Sequence, residues 1–258
     1  MCISDNKKER SIYMSKEVFS RTEEKYIIKR SVYEEIIKEL DNKMEADSYS
    51  KNGSFYQICN IYYDTYDNNL IRTSLQKPQY KEKVRLRSYG VPDRKSMVFL
   101  EIKKKFKGCV NKRRTGFTLD EAYKFANTGN ITFLKDYMNP QIIHELSYAI
   151  KTYKLLPKVY IAYQRRAFFG LENNEFRVTF DRNIISRRED IALEYGVFGE
   201  RVIPEDEMIM EVKYSERMPL WFIEILRKHD LNKASFSKYG TEYTNYIKKG
   251  YREVKKYA

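Results

Sequence analysis

The sequence predicts an α+β domain built as a closed antiparallel β barrel, a tunnel of at least eight strands with helices packed outside. Three observations lead there. Segments of alternating hydrophobicity recur with period two, the signature of strands with one buried and one wet face. Segments with helical periodicity stand between them. The polar faces of at least six strands carry Arg and Lys with single glutamates, where an ordinary solvated face would also use Ser, Thr, Gln and Asn.

The elements follow in order. Segment 21–28 reads as a strand with Arg21, Glu23 and Lys25 on one face, because residues two apart share a face. Residues 31–44 read as a helix through Val32, Ile36, Ile37 and Leu40, with Ser31 as N-cap. A strand follows at 55–64. Segments 81–89, 97–105 and 112–118 form a meander. Its first strand sets Lys83, Arg85 and Arg87 opposite Val84 and Leu86, and its second sets Glu101, Lys103 and Lys105 opposite Leu100 and Ile102. Residues 119–126 are a short helix. Residues 131–153 are one or two helices, broken near Pro140.

Strand 158–169 places Tyr163, Arg165 and Ala167 together, which favours Arg165 over Arg166 as the inward arginine. Strand 175–181 sets Arg177, Thr179 and Asp181 opposite Phe176, Val178 and Phe180. Strand 208–214 sets Glu211 and Lys213 opposite Met210 and Val212, and a helix at 219–228 begins with Pro in its first turn. No repeat or linker divides 21–258, so one domain is expected, preceded by a disordered or loosely attached segment at 1–20.

Composition narrows the function. The 258 residues carry 49 Lys and Arg against 36 Asp and Glu, a net charge of +13, which favours an anionic partner. Hydrophobic residues at 42% and aromatics at 15% allow a real core and exclude a disordered chain. Cys2, Cys59 and Cys109 form no CxxC and suggest neither a disulfide framework nor a zinc site, which fits the cytoplasm. Two histidines, without metalloprotease spacing, leave no material for a His-based triad. Residues 1–20 have no apolar stretch of the kind that makes a signal peptide, and nothing is long and apolar enough to span a membrane. Nucleic acid is not the expected partner, because no RNA-binding signature accompanies the tyrosines.

The charged strand faces carry the chemistry. Like charges brought together out of water repel and are costly to desolvate. A bound polyanion offsets both effects. Arg forks grip phosphate oxygens and Lys acts as a point charge. Carboxylates among cations suit a hard divalent ion bridging phosphates. On this reading Arg87→Ala abolishes turnover and leaves stability unchanged or higher, since one repelling charge is gone.

Short motifs run through 21–246 in a fixed order. They are R-T-E-E-K-Y at 21–26, N-I-Y-Y-D-T at 60–65, V-R-L-R-S-Y-G at 84–90, F-L-E-I-K-K-K at 99–105, N-K-R-R at 111–114, Y-Q-R-R-A-F at 163–168, F-R-V-T-F-D at 176–181, M-E-V-K-Y at 210–214 and F-S-K-Y at 236–239. Together they resemble the VTC domain (vacuolar transporter chaperone) of the CYTH-like, or triphosphate tunnel metalloenzyme, superfamily. The resemblance implies a polyphosphate polymerase that moves the γ-phosphate of ATP onto a growing polyphosphate chain with Mn²⁺ or Mg²⁺. It implies that Lys25, Arg85, Arg87, Lys103, Arg165 and Arg177 hold the reacting phosphates. Lys83, Lys112, Lys213 and Lys238 are further phosphate contacts. Glu211 binds metal, helped by Glu23 and Glu101. The wider superfamily opens with ExExK; Arg21 stands in its first position here, which tilts the reading from triphosphatase towards polymerase. Ser235 stands where the family often has a Lys. A triphosphatase, hydrolysing inorganic or nucleoside triphosphate, and a non-catalytic polyphosphate-binding module are the alternatives. Any membrane partner would be a separate protein.

Overall fold

The computed structural model describes residues 22–50, 53–107 and 109–257, with side chains as far as 250. The expected loose segment at 1–20, Arg21 and Cys2 lie outside the described residues. The chain runs β1 (Thr22–Lys29), α1 (Arg30–Leu40), β2 (Met44–Ala46), β3 (Tyr56–Asp64), α2 (Asn69–Leu75), β4 (Tyr80–Tyr89), β5 (Met97–Phe106) and β6 (Cys109–Thr118). It continues through α3 (Leu119–Thr128), α4 (Pro140–Tyr153), β7 (Leu156–Gly170), β8 (Arg177–Arg187), β9 (Glu200–Arg201), β10 (Glu207–Tyr214), α5 (Leu220–Lys228) and α6 (Lys238–Tyr257).

The ten strands form one antiparallel sheet in the order β1-β10-β8-β7-β3-β4-β5-β6, with β2 paired to β7 and β9 to β8. The class is therefore α+β, but the barrel is not closed by backbone. β1 and β6 end the path, and among the described residues no ladder joins them. The reason is on β1's free edge, where the segment between α5 and α6 docks and the Ala234 amide donates to the Lys25 carbonyl at 2.7 Å. The sheet still curls far enough for side chains to meet across the gap: Lys103 Nζ on β5 lies 3.7 Å from Glu23 Oε2 on β1.

The outer face of the sheet is apolar and covered by helices. Val84, Leu86, Val98, Leu100, Ile102 and Phe117 pack under α3 and α4. Tyr26, Ile28, Met208, Met210 and Val212 pack under α1 and α5. α3 is capped by the reciprocal pair Thr118 and Glu121, and α4 by Asn139, whose side chain accepts from the Ile142 amide, with Pro140 at its start. Residues 131–139 are not helical, and Asn139, the residue before the proline, is extended where α4 starts. α1 begins at Arg30, one residue before the expected cap. β1 runs straight into it, and the Arg30 amide is held by the Asp206 carbonyl at 2.8 Å, so Ser31 falls inside the helix.

α2 and α6 depart from the expectation that helices pack only outside. Tyr239 of α6 and Ile71 of α2 pack on Ile58, Tyr62, Ile161, Tyr163 and Ile209, on the concave side of the sheet. Buried Asp64, at the end of β3, fixes both helices. Its carboxylate accepts from the Leu70 and Ile71 amides of α2 and from the Tyr239 hydroxyl of α6. That carboxylate serves α2 as its cap. It also sets the start of α6, and hence Lys238, against the sheet.

Candidate functional site

The concave face encloses a solvent-open cavity of about 1380 Å³. Strand alternation decides what lines it. β4 turns Lys81, Lys83, Arg85 and Arg87 inward, β5 Glu101 and Lys103, and β6 Lys112 and Arg114. β1 and β10 add Glu23, Lys25, Glu211 and Lys213, and β7 and β8 add Arg165 and Arg177. α6 supplies Lys238. All thirteen residues named from the sequence thus face one space. Arg166 points away, with NH1 donating to the Tyr33 hydroxyl at 3.1 Å.

The carboxylates divide into separate groups. Glu23 and Glu211 stand together among lysines. Lys25 Nζ is 2.9 Å from Glu23 and 3.6 Å from Glu211, and Lys213 Nζ is 2.6 Å from Glu211 and 3.7 Å from Glu23. Burial raises the pKa of each and Glu211 also raises that of Glu23, but the cations outweigh this (Lys25, Lys103 and Lys213 at Glu23, and Lys213, Lys25, Arg165 and Lys238 at Glu211) and hold both groups below the usual carboxylate range. Glu101 is apart from them. Arg85 NH2 lies 2.7 Å away, Lys112 2.9 Å and Arg87 3.9 Å. Burial pushes its carboxyl up, and Arg85, Arg87 and Lys112 hold it well below the ordinary range.

The expected metal set, Glu211 with Glu23 and Glu101, is thus divided between two places. Among the described residues no group of three or more His, Cys, Asp or Glu is placed to hold an ion. Glu101 is committed to its three cations. Glu23 and Glu211, whose partners are lysines, are of the donor type that suits a divalent ion completed by phosphate oxygens and water.

Two lysines face the cavity with their charges poorly matched. Burial pushes Lys83 down to about 8, with Tyr62 opposing and Lys103, Lys81 and Lys25 adding to it. Its polar contact is the Ser237 hydroxyl at 2.9 Å. Burial likewise takes Lys112 down to about 7, despite its pairing with Glu101. Glu101 raises it, but burial outweighs the carboxylate and Arg85 and Arg87 add to the lowering. Arg177 Nε is buried and has no hydrogen-bond partner among the described residues.

Arg87 behaves otherwise than the sequence led us to expect. It is 5% exposed. Its Nε donates to Asn60 Oδ1 at 3.0 Å and its NH2 to the Tyr163 hydroxyl at 3.1 Å. It is tied into the wall, so removing it orphans buried partners rather than relieving repulsion.

Two acids that carried no role in the sequence reading shape the site. Asp181 is fully buried and accepts from Arg165 through both oxygens, each at 2.7 Å, while Lys238 Nζ lies 2.5 Å from Oδ2. Its place beside Arg177 and Thr179 was visible, but the partner on α6 was not. Asp47 pairs with Arg177 at 3.5 Å and accepts from the Tyr56 hydroxyl at 3.1 Å. No strand pattern marked it, because it stands in a turn.

The VTC domain family matches residues 20–246. The chain belongs to that family. Solved structures share its fold. A Bacillus halodurans protein described as a candidate adenylate cyclase is 14% identical over 86% of this chain and 94% of its own, with a TM-score of 0.51. A candidate adenylyl cyclase from Hippeastrum, described as having a dominant triphosphatase activity, is 13% identical over 86% of this chain and 95% of its own, with a TM-score of 0.54. These likenesses are of fold. No curated protein matches the chain. Among the described residues no helix is long and apolar enough to cross a membrane.

Proposed function

We propose that this VTC domain is a polyphosphate polymerase: its residues 21–258 act as one catalytic unit, and the cavity works as a tunnel that aligns an ATP donor with a phosphate chain. One observation carries the reading. Cations from seven strands and from α6 converge on one cavity and outnumber the carboxylates among them.

Phosphoryl transfer needs alignment and charge stabilisation more than covalent help. A terminal phosphate oxygen of the chain attacks the γ-phosphorus, the bond from that phosphorus to the β–γ bridging oxygen breaks, and ADP leaves. Arg85, Arg87, Arg165 and Arg177 hold equatorial oxygens, and Lys25, Lys83, Lys103, Lys112, Lys213 and Lys238 neutralise the chain on either side. Glu23 and Glu211 would hold a divalent ion, which supplies further neutralisation at the phosphates. The attacking oxygen is already anionic and needs no base. That suits a lining without histidine, in which cations hold Glu23, Glu101, Glu211 and Asp181 below the usual carboxylate range. Such acids are weak bases for activating water, which favours the polymerase over a triphosphatase.

The test incubates purified protein with ATP and Mn²⁺ and resolves products on a polyacrylamide gel stained with a cationic dye. A ladder that disappears in Glu211→Ala is the expected result. Orthophosphate or pyrophosphate without a ladder moves the protein to the triphosphatase reading. No turnover, with retained tripolyphosphate binding, makes it a binding module.

A further inference from the structure

The two ends of the cavity differ in chemistry. β4 runs from Tyr80, next to Lys81, at one end to Tyr89 at the other. At the Lys81 end the lining gathers Lys77, Lys81 and Lys105, the last paired with Lys81 across β4 and β5. At the Tyr89 end it is aromatic. Tyr49 and Tyr89 stack nearly parallel, with centroids 5.3 Å apart at 12°. Tyr56 lies 5.5 Å from Tyr49, and Phe99 meets Tyr89 edge-on at 6.1 Å. The Arg114 guanidinium sits 4.7 Å over Phe99.

We propose that this aromatic end binds the base of a nucleoside triphosphate whose phosphates lie along the neighbouring cations. The inference rests on the proposed function and adds where the donor's organic half sits. A phosphate chain has no use for rings; a base stacks on them through its π-face and needs no particular hydrogen-bond pattern. Core packing does not account for the pair, since Tyr49 is 59% and Tyr89 37% exposed while both line the cavity. The platform is also held in register with the phosphate site. Asp47 Oδ1 accepts from the Tyr49 and Ser50 amides, and Oδ2 accepts from the Tyr56 hydroxyl and pairs with Arg177. One buried acid thus fixes the aromatic turn and a phosphate-facing guanidinium together. A purine, with its larger face, is favoured over a pyrimidine, and the acceptor chain then approaches from the Lys81 end.

The test measures, by calorimetry, the affinities of tripolyphosphate, ATP and UTP for the wild-type chain, Tyr49→Ser and Tyr49→Phe. Thermal unfolding confirms that each variant is folded. The wild type is expected to bind ATP more tightly than UTP. Tyr49→Ser should weaken ATP about ten-fold, the worth of one lost stacking partner, and leave tripolyphosphate within about two-fold. Tyr49→Phe should keep ATP binding. If Tyr49→Ser weakens both ligands alike, or neither, the base platform is overturned while the phosphate site stands. A wild type that binds neither ATP nor tripolyphosphate overturns the platform and the proposed function together.

Discussion

Lys83 offers the sharpest physical check on the idea of a cavity waiting for a polyanion. Burial and neighbouring lysines lower its pKa from 10.5 to about 8. The gap of about 2.5 pH units is worth about 3 kcal/mol at ~1.4 kcal/mol per unit. The sign follows from linkage. The unfolded chain keeps this proton up to pH 10.5 and the folded chain only up to about 8, so stability rises with pH between those values. Below pH 8 the whole penalty stands. Lys83→Met removes it, at the loss of the hydrogen bond to Ser237, worth ~1 kcal/mol. The variant should therefore be about 2 kcal/mol more stable than the wild type at pH 7, roughly 5 °C in melting temperature for a chain of this size. Its advantage should fade as pH climbs towards 10. Saturating tripolyphosphate should invert the order, because the anion pairs with the buried charge of Lys83 and stabilises the wild type more. Scanning calorimetry at pH 7, 8 and 9, with and without tripolyphosphate, measures all three effects. A variant that melts lower than the wild type at pH 7, or a gap that ignores pH, refutes the reasoning.

Other perturbations separate wall from ligand contact. Arg87→Ala should lower stability by about 2–3 kcal/mol in urea titrations, by leaving Asn60 and Tyr163 without a buried partner; unchanged stability would restore the repulsion argument. Asp181→Ala should cost about 3–5 kcal/mol, the usual effect of stripping one partner from a buried ion pair, and tripolyphosphate should raise its melting temperature more than the wild type's. Glu101 has a lowered pKa, so its stabilisation is complete above about pH 4.5 and is lost as pH falls below that. Glu101→Gln should therefore flatten the acid limb of the stability–pH curve, measured by circular dichroism between pH 3 and 6.

Period-two alternation made the strands legible, and with them the inward face, because an alternating face survives any error in strand ends. Lys83, Arg85 and Arg87 could be placed on one face before any partner strand was known. What alternation cannot express is where a sheet stops pairing. Closure between β1 and β6 would need a continuous ladder, and whether one forms depends on what reaches β1's edge first. The amide of Ala234, in an irregular segment, takes that place.

The same limit hid α6. Its sequence carries Gly240, Gly250 and several tyrosines, poor helix formers in isolation. Tertiary contacts override the propensity: Tyr239 donates to Asp64, and Glu242 receives both arms of Arg188 at 2.8 Å. Hence the site was read as a set of strand faces, although Asp181 is completed only by Lys238 from that helix. The division of the glutamates was hidden for a related reason. Glu101 and Glu211 look equivalent as inward glutamates on charged strands, and only the register gives one of them Arg85 as its immediate neighbour and the other Lys25. A guanidinium at 2.7 Å ends a carboxylate's availability to an ion, whereas two lysines shared between Glu23 and Glu211 can swing away towards phosphate. The difference between an acid locked to a guanidinium and one shared among lysines in this cavity thus lies in the partner's geometry, which sequence alternation does not encode.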